Sequence, residues 1–145
     1  MLRIEQGRRF DVAVDRGFDY ITDQSNWPEY WPGFMRLEPG SAWSEPGDHT
    51  RLVLRVLGRP TALELTLRRH ERPIVVEYDS VQRGLPDARH QRLFEAVADG
   101  FDYTVVVEYE PRPGLRGLLD RTLVPILVGR IVRKTLDNIG RALER

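Results

Sequence analysis

The chain contains no cysteine, which excludes disulfides, thiolate nucleophiles and cysteine metal sites. Histidine is scarce as well, and the three present, His49, His70 and His90, do not lie at the close spacing of metal ligands. Alternation along the predicted strands turns His49 and His70 outward and His90 inward. We therefore predict no metal site.

Long hydrophobic runs are also missing. None approaches the ~20 apolar residues needed to cross a bilayer, and residues 1–5 lack the apolar core of a signal peptide. The formal net charge is zero, whereas proteins that bind nucleic acid usually carry a basic surplus. These absences favour a soluble, cytoplasmic protein with no nucleic-acid partner and no transmembrane segment.

The common signatures of hydrolytic and nucleotide-dependent enzymes are absent too. No serine lies in a nucleophile elbow, and no glycine-rich loop opens a helix after a strand. The acidic residues of the central strands are predicted on the outer face of the sheet, so they form no buried carboxylate pair. These residues are Glu64, Glu77, Asp79, Glu95 and Glu108. No cofactor is predicted.

The most prominent feature that is present is a long amphipathic segment, from about residue 114 to 144. Its large apolar residues recur every three or four positions, which is the period of a helix: Leu115, Leu118, Leu119, Leu123, Ile126, Leu127, Ile131, Ile139 and Leu143. Residues 123–132 are apolar nearly all round, so they must contact the core on one side and a ligand, a partner subunit or a membrane on the other. Pro125 predicts either a kink or a helix that begins there.

Positive charge is concentrated on the same segment. From Gly114 onward seven residues are basic and three are acidic, although the whole chain is neutral. The simplest interpretation is a set of arginines that solvate the outer face of the helix. The alternatives are peripheral contact with an anionic membrane surface or contact with an anionic ligand headgroup. A homodimer is left open by apolar residues predicted to face outward: Leu93, Val97 and Val106 on the sheet, and Val124, Val128 and Val132 on the helix.

Ahead of the helix, the pattern predicts one strand, two short helices and then an antiparallel sheet. The first strand covers about residues 3–14, the short helices about 16–32 and the remaining strands about 35–111. Asp15 is a candidate cap for the first helix, and Ser25 or Asn26 for the second. Prolines and glycines divide the sheet region into strands at 35–43, 49–57, 61–69, 74–80, 89–98 and 101–109. No linker or repeat divides the chain, so we predict one domain over residues 1–145.

The Asp99–Gly100 pair predicts a two-residue hairpin turn with positive φ. In the register that this turn sets, Arg92 faces Val107 and His90 faces Tyr109. Because side chains two apart share a face of a strand, the alternation gives the sheet one apolar inner face. The polar groups predicted on that face are His90, Arg92, Tyr78, Tyr103 and Tyr109.

The order of strand, two short helices, antiparallel strands and long helix resembles the START-like (SRPBCC) superfamily. It is most similar to the branch of small bacterial polyketide cyclases/dehydrases and lipid-transport proteins. The aromatic segment 26–31 and the ending 136–139 add to this resemblance, which covers nearly the whole chain. It implies an α+β helix-grip fold, in which a curved antiparallel sheet of about seven strands wraps around the C-terminal helix and leaves a deep cavity.

The resemblance also implies a function, because that superfamily binds lipids, quinones, hormones and polyketides. The first interpretation is binding or transport of a small hydrophobic molecule, such as a lipid, a quinone or a polyketide, without catalysis. The second is a cyclase or aromatase that needs no metal or nucleotide and uses His90, Arg92 or Tyr103 as proton shuttles. The third is an interaction module without a ligand.

The predicted ligand-binding residues come from three parts of the chain. By the resemblance, the mouth of the cavity lies near Trp27, Tyr30, Trp31 and Phe34. The inner face of the sheet supplies Leu54, Leu65, Tyr78, His90, Arg92, Phe94, Tyr103, Val105 and Tyr109, and the long helix supplies Ile126, Leu127 and Arg130. Simpler interpretations are that the aromatic residues only pack and that His90 and Arg92 are satisfied by water or carboxylates.

Overall fold

The computed structural model of the protein describes residues 1–145 as a seven-stranded antiparallel sheet and a long C-terminal helix. The strands are β1 (Leu2–Phe10), β2 (Phe34–Leu37), β3 (His49–Val56), β4 (Arg59–Glu71), β5 (Val75–Gln82), β6 (Ala88–Val97) and β7 (Gly100–Tyr109). The helices are α1 (Val14–Thr22), α2 (Trp27–Tyr30) and α3 (Leu115–Leu143). The strand order is β1-β7-β6-β5-β4-β3-β2, so the last strand pairs with the first. The predicted α+β layout is confirmed.

The sheet and α3 enclose the core between them. Alternation along each strand places one set of side chains on the inner face, and most of the predicted inward residues are buried there, among them Leu52, Leu65 and Leu67. Burying one such side chain fully stabilises the fold by about 1.5–3 kcal/mol. The inner face of the sheet is therefore the one that the alternation predicts.

Helix α3 is continuous from Leu115 to Leu143, so the alternative in which it begins at Pro125 is wrong. Strand β1 ties this helix to the sheet through two polar side chains. Gln6 Nε2 donates to the carbonyl oxygen of Gly129 at 3.0 Å, and Arg8 Nη1 donates to the carboxylate of Asp137 at 2.8 Å. These bonds hold the middle and the C-terminal part of α3 against one edge of the sheet.

The N-terminal end of α3 is held by a buried ion pair. The Asp120 carboxylate, which is inaccessible to solvent, accepts hydrogen bonds from Arg112 through its backbone N at 2.7 Å, its Nε at 2.9 Å and its Nη2 at 2.7 Å. The hydrogen-bonded guanidinium lowers the pKa of the Asp120 carboxyl, so that this group stays ionised. The second turn of α3, which contains Asp120, is therefore joined to the loop that precedes the helix.

The hairpin between β6 and β7 differs from the predicted one. Val97 pairs with Gly100, so the two-residue turn starts one position earlier than predicted, and Gly100 does not have positive φ. Arg92 consequently faces Val105 rather than Val107. The register is shifted by two residues, an even number, and every side chain therefore stays on its predicted face.

Gly100 is required for a reason that sequence inspection did not supply. A Cβ atom at this position would lie 1.9 Å from the carbonyl oxygen of Phe10, at the end of β1. A two-residue turn with positive φ at both positions joins β3 to β4, where Leu57 and Gly58 have φ values of 50° and 80°. Strand β4 therefore begins at Arg59, before the predicted start at residue 61.

Several predicted boundaries and caps are corrected by the structure. Strand β1 ends at Phe10 rather than near residue 14, and β2 ends at Leu37 rather than at residue 43. Asp15 lies inside the first turn of α1 and does not cap it. A single 3₁₀ turn follows at Gln24–Asn26, and its cap is the side chain of Asp23, which accepts a hydrogen bond from the backbone N–H of Ser25 at 2.9 Å. Local propensity predicted where these short helices lie, but it did not identify Asp23 as the capping residue.

A bulge in β4 overturns the predicted direction of His70. The pairing with β5 shifts between Leu67 and Arg69, and one extra residue exchanges the faces beyond that point. His70 therefore packs inward, with its ring 5.3 Å from that of Phe18 on α1. Val106 keeps its predicted outer face, because Val105 and Val107 on either side of it line the cavity, but it is fully buried there rather than open to a partner.

Candidate ligand-binding site

A cavity of about 130 Å³ lies between the inner face of the sheet and α3. Sixteen of its 22 lining residues are hydrophobic, none is acidic, and Arg92 is the only one that carries a formal charge. An engineered apolar cavity of ~150 Å³ binds benzene, whereas pockets for drug-sized ligands measure roughly 300–1,000 Å³. The space present therefore matches one aromatic ring or a short aliphatic chain.

The middle of α3 forms one wall of this cavity. Its lining residues fall on one helical face: Val124, Leu127, Val128, Ile131, Val132 and Thr135. This corrects the prediction that the valines of this segment face outward. The opposite wall is the sheet from β3 to β7, and Leu85 and Pro86 of the β5–β6 loop also line the cavity. The apolar middle of α3 thus faces a space as well as the packed core.

A second cavity of about 20 Å³, enough for roughly one water molecule, lies under α2. Four residues line both cavities, namely Trp31, Leu65, Tyr78 and Arg92. These residues separate the larger cavity from the region under the short helices.

Arg92 is the centre of the polar groups in this region. Its Nη1 donates to the hydroxyl of Tyr103 at 2.7 Å, and its Nη2 donates to the hydroxyl of Tyr78 at 2.8 Å. The Tyr78 ring centroid also lies 5.6 Å from the guanidinium carbon, which is within the range of a cation–π contact. The Nε–H group of Arg92 is buried and has no hydrogen-bond partner.

His90 lies beside Arg92 on the same face of β6. Its Nε2 is 2.8 Å from the hydroxyl of Ser80, and its ring stacks on that of Tyr78 with a centroid distance of 4.5 Å. Burial, assisted by the positive charge of Arg92, lowers the pKa of His90 to about 3. Its imidazole is therefore neutral at pH 7.

The Tyr103 hydroxyl is neutral as well. Burial raises the pKa of Tyr103, although the adjacent Arg92 acts in the opposite direction. General acid–base catalysis is most efficient when the pKa lies near the working pH, and neither His90 nor Tyr103 meets this condition. Electrostatic stabilisation by Arg92 is the chemistry that the arrangement favours.

The aromatic residues of α2 pack as a cover over the smaller cavity. Trp27 Nε1 donates to the carbonyl oxygen of Ile21 at 3.2 Å, and the Tyr30 hydroxyl donates to the same oxygen. Asn138 of α3 donates to the carbonyl oxygen of Tyr30 at 3.0 Å and so ties α2 to the long helix. The polar atoms of Trp27 and Tyr30 are thus satisfied within the protein.

The structure brings most of the predicted ligand-binding residues to one of the two cavities. The larger cavity is lined by Trp31, Leu54, Leu65, Tyr78, His90, Arg92, Val105, Tyr109 and Leu127, and the smaller one also by Trp27, Tyr30 and Phe94. Tyr103 is fully buried and contacts the cavity only through Arg92, and Phe34 packs against the core. Ile126 and Arg130 are exposed on α3, away from both cavities.

Sequence reasoning missed three groups of residues at the site. The first is the helical face of Val124, Val128 and Thr135, which the sequence does not single out because residues 123–132 are apolar nearly all round. The loop residues Leu85 and Pro86 carry no periodic signal. Trp43, which lies in the loop after β2, contacts the rings of Trp27 and Tyr78 at centroid distances of 5.5 and 5.2 Å.

No group of three or more potential metal-ligating side chains is clustered in the structure. No helix has the length and apolar character required to cross a bilayer.

A helix-grip sheet and helix around an apolar cavity define the structural class of the protein. The sequence matches the family described as polyketide cyclase/dehydrase and lipid transport over residues 1–144. The chain therefore belongs to that family, as the resemblance implied. No curated protein matches the sequence.

Solved structures show the same fold. The Zhui aromatase/cyclase from Streptomyces sp. R1128 is 13% identical, with a TM-score of 0.84 over 99% of this chain and 94% of that protein. TTHA0849 from Thermus thermophilus is 17% identical, with a TM-score of 0.80 over 98% and 97% of the two chains. The di-domain ARO/CYC StfQ from the steffimycin biosynthetic pathway is 16% identical, with a TM-score of 0.78 over 98% of this chain and 50% of that one. At these identities the likeness is one of fold.

Proposed function

We propose that the protein binds a small hydrophobic molecule in the cavity between the sheet and α3, as a carrier or binding protein. The observation that carries this proposal is the cavity lining, in which sixteen of 22 residues are hydrophobic and a few polar groups converge. Membership in a family that includes lipid transport supports the same function. The residues proposed to contact the ligand are those that line the larger cavity.

The volume of the cavity limits the ligand. About 130 Å³ holds a single ring or a short chain, so a lipid, quinone or polyketide of larger size requires the cavity to widen. Leu85 and Pro86 of the β5–β6 loop and the middle of α3 line the cavity without belonging to the hydrogen-bonded strands of the sheet. We propose that entry of a larger ligand separates this loop from α3.

A phenylalanine that fills the cavity tests this proposal. Val128→Phe places a ring in the space beside α3, and Ile126→Phe adds the same ring on the exposed side of the same helix. With 3-phenylpropan-1-ol as the probe, isothermal titration calorimetry should show binding to the wild type and to Ile126→Phe, and at least about tenfold weaker binding to Val128→Phe. Absence of binding to the wild type, or equal binding to all three proteins, would contradict the proposal.

A cyclase or aromatase is the second candidate, and the Arg92 cluster is the observation that favours it. A guanidinium fixed by two phenol hydroxyls beside an apolar space can stabilise the negative charge that develops on a carbonyl oxygen during enolisation. Two structural neighbours are described as an aromatase/cyclase and a di-domain ARO/CYC. In this candidate Arg92 stabilises charge, and His90 is too weak a base to shuttle protons at pH 7.

Turnover separates the two candidates. An enzyme would convert a linear poly-β-ketone surrogate into an aromatic product that is detected by its ultraviolet absorbance. Replacement of Arg92 by glutamine would then abolish product formation while the cavity still binds 3-phenylpropan-1-ol. Binding without any turnover favours the carrier.

A further inference from the structure

The larger cavity contains a positive charge that the protein does not neutralise. Arg92 is the only charged residue that lines either cavity, and its hydrogen-bond partners are the uncharged hydroxyls of Tyr78 and Tyr103. The partly buried Arg112 has a different environment, because it pairs directly with the carboxylate of Asp120. The fold thus supplies a counter-ion for Arg112 and none for Arg92.

The neighbours of Arg92 do not change this charge balance. An arginine side chain stays protonated in proteins, so the charge is permanent. Tyr103 is protonated, and His90 is neutral at pH 7. Only two of the five N–H groups of the guanidinium have partners, and its Nε–H has none. A buried cation in this condition is energetically costly unless an anion joins it.

We propose that the ligand is an amphiphile whose carboxylate binds to Arg92 and whose apolar part fills the space against α3. This inference rests on the proposed binding function and adds the chemical class of the ligand. The planar carboxylate matches the planar guanidinium, and hydrogen bonds between opposite charges are roughly twice as strong as those between neutral groups. The hydroxyls of Tyr78 and Tyr103 hold the guanidinium in place before the ligand arrives.

The rest of the cavity determines what the apolar part can be. Val105 and Val107 on β7 and the valines of α3 provide an apolar surround, and the cavity of about 130 Å³ admits one ring or a short chain. The Ser80–His90 pair is the second polar point on the sheet wall. A small aromatic or aliphatic carboxylic acid combines these requirements.

The experiment compares three ligands that share one apolar part. At pH 7 and low salt, isothermal titration calorimetry measures the affinity of 3-phenylpropanoate, 3-phenylpropanamide and 3-phenylpropan-1-ol for the wild type. The carboxylate should bind about ten- to a hundredfold more tightly than the amide or the alcohol, as expected for a hydrogen bond to a charged group. Arg92→Gln should abolish this preference, so that this variant binds the carboxylate no more tightly than the amide. Arg92→Lys keeps the charge without the planar fork and should retain part of the preference.

Two results would overturn the inference while leaving the binding function intact. One is equal affinity of the wild type for the carboxylate and the amide. The other is a folded Arg92→Gln protein that still prefers the carboxylate, which would place the anion elsewhere. Failure of all three ligands to bind the wild type would contradict the proposed binding function and this inference together. The comparison in the wild type decides the question even where a variant does not fold.

Discussion

Arg92 and Asp120 are enclosed charged side chains, and the fold surrounds them with opposite chemistry. Asp120 receives three hydrogen bonds from Arg112, and its low pKa follows from that charge-assisted contact. Arg92 donates hydrogen bonds only to two phenol hydroxyls, and it borders the larger cavity. Complete pairing is what a structural ion pair needs, whereas a group left with free donors can bind a ligand. We therefore propose that Asp120 contributes to stability and that Arg92 contributes to ligand binding.

His90 should make stability depend on pH. The unfolded protein takes up a proton on this residue near pH 6.5, but burial and Arg92 hold the folded-state pKa at about 3. The contribution of His90 to the free energy of unfolding is therefore fully present above pH 6.5. It decreases by up to about 1.4 kcal/mol per pH unit as the pH falls toward 3. Urea unfolding of wild type and His90→Gln between pH 7 and 4.5 should show that the variant lacks this part of the slope.

The matched control for this prediction is His49→Gln, because His49 is exposed on β3. This variant should keep the pH dependence of the wild type. A wild-type slope identical to that of His90→Gln would show that the imidazole of His90 titrates in the folded protein as it does in the unfolded chain.

At the level of elements, α3 consists of a C-terminal half packed on the core and an N-terminal half held at one end by Asp120. The Asp120→Asn substitution removes the charge that three donors of Arg112 share, and we expect a loss of about 3 kcal/mol in the free energy of unfolding at pH 7. Because the folded-state pKa of Asp120 is lowered, this contribution is present above the unfolded pKa of about 3.9 and disappears as the pH falls through the folded value. Urea denaturation at pH 7 and pH 3 measures both effects.

Asp137→Asn on the same helix is the control, since Asp137 forms an exposed pair with Arg8. An exposed ion pair typically contributes less than about 1 kcal/mol. Equal losses for Asp120→Asn and Asp137→Asn would contradict the role assigned to the buried pair.

The N-terminal half of α3 carries apolar residues on its outer side that are open to solvent. These are Leu115, Leu118, Leu119, Leu123 and Ile126, and each is about half exposed or more. Arg116, Arg121 and Arg130 lie on the same exposed part of the helix. Leucines flanked by arginines are typical of helices that lie on an anionic membrane surface. Peripheral membrane contact therefore stays a prediction, and these residues are the ones that would make it.

Vesicle binding tests this membrane contact. The wild type should co-sediment with vesicles of phosphatidylcholine and phosphatidylglycerol, and the double variant Leu119→Glu/Leu123→Glu should bind at least about tenfold more weakly. Ile74→Glu, an exposed apolar position on the β4–β5 turn, is the control and should bind as the wild type does. Equal binding by both variants would contradict the contact, and a dimer that the double variant disrupts would assign this surface to a second copy of the chain.

At the scale of the whole molecule, the pattern of alternation predicted more than the local signals did. The inward direction of Leu54, Leu65 and Tyr78 followed from alternation along each strand. That of Arg92 on β6 did so too, despite the error of two residues in the predicted β6–β7 register. The face of α3 that points toward the cavity could not be predicted in the same way. Residues 123–132 are apolar on nearly all sides, so the helical period alone does not show that Val128 faces the cavity and Ile126 the solvent.

Other parts of the site depend on tertiary contacts that carry no local signal. The bulge in β4 turns His70 inward, and the loop after β2 brings Trp43 against Trp27. The partners of Arg92 come from two other strands, β5 and β7, whose alignment depends on the register of the sheet. The candidate polar residues could therefore be named from the sequence, but the absence of a carboxylate beside Arg92 could not.

We propose that the space between the sheet and α3 holds a small hydrophobic molecule. Native mass spectrometry of freshly purified wild type, Val128→Phe and Ile126→Phe, with 3-phenylpropanoate added where no ligand is retained, tests it most directly. We predict a one-to-one complex with the wild type and with Ile126→Phe, and its loss in Val128→Phe. A wild-type protein that retains no ligand and takes up none, or a Val128→Phe protein that binds as well as the wild type, would contradict the claim.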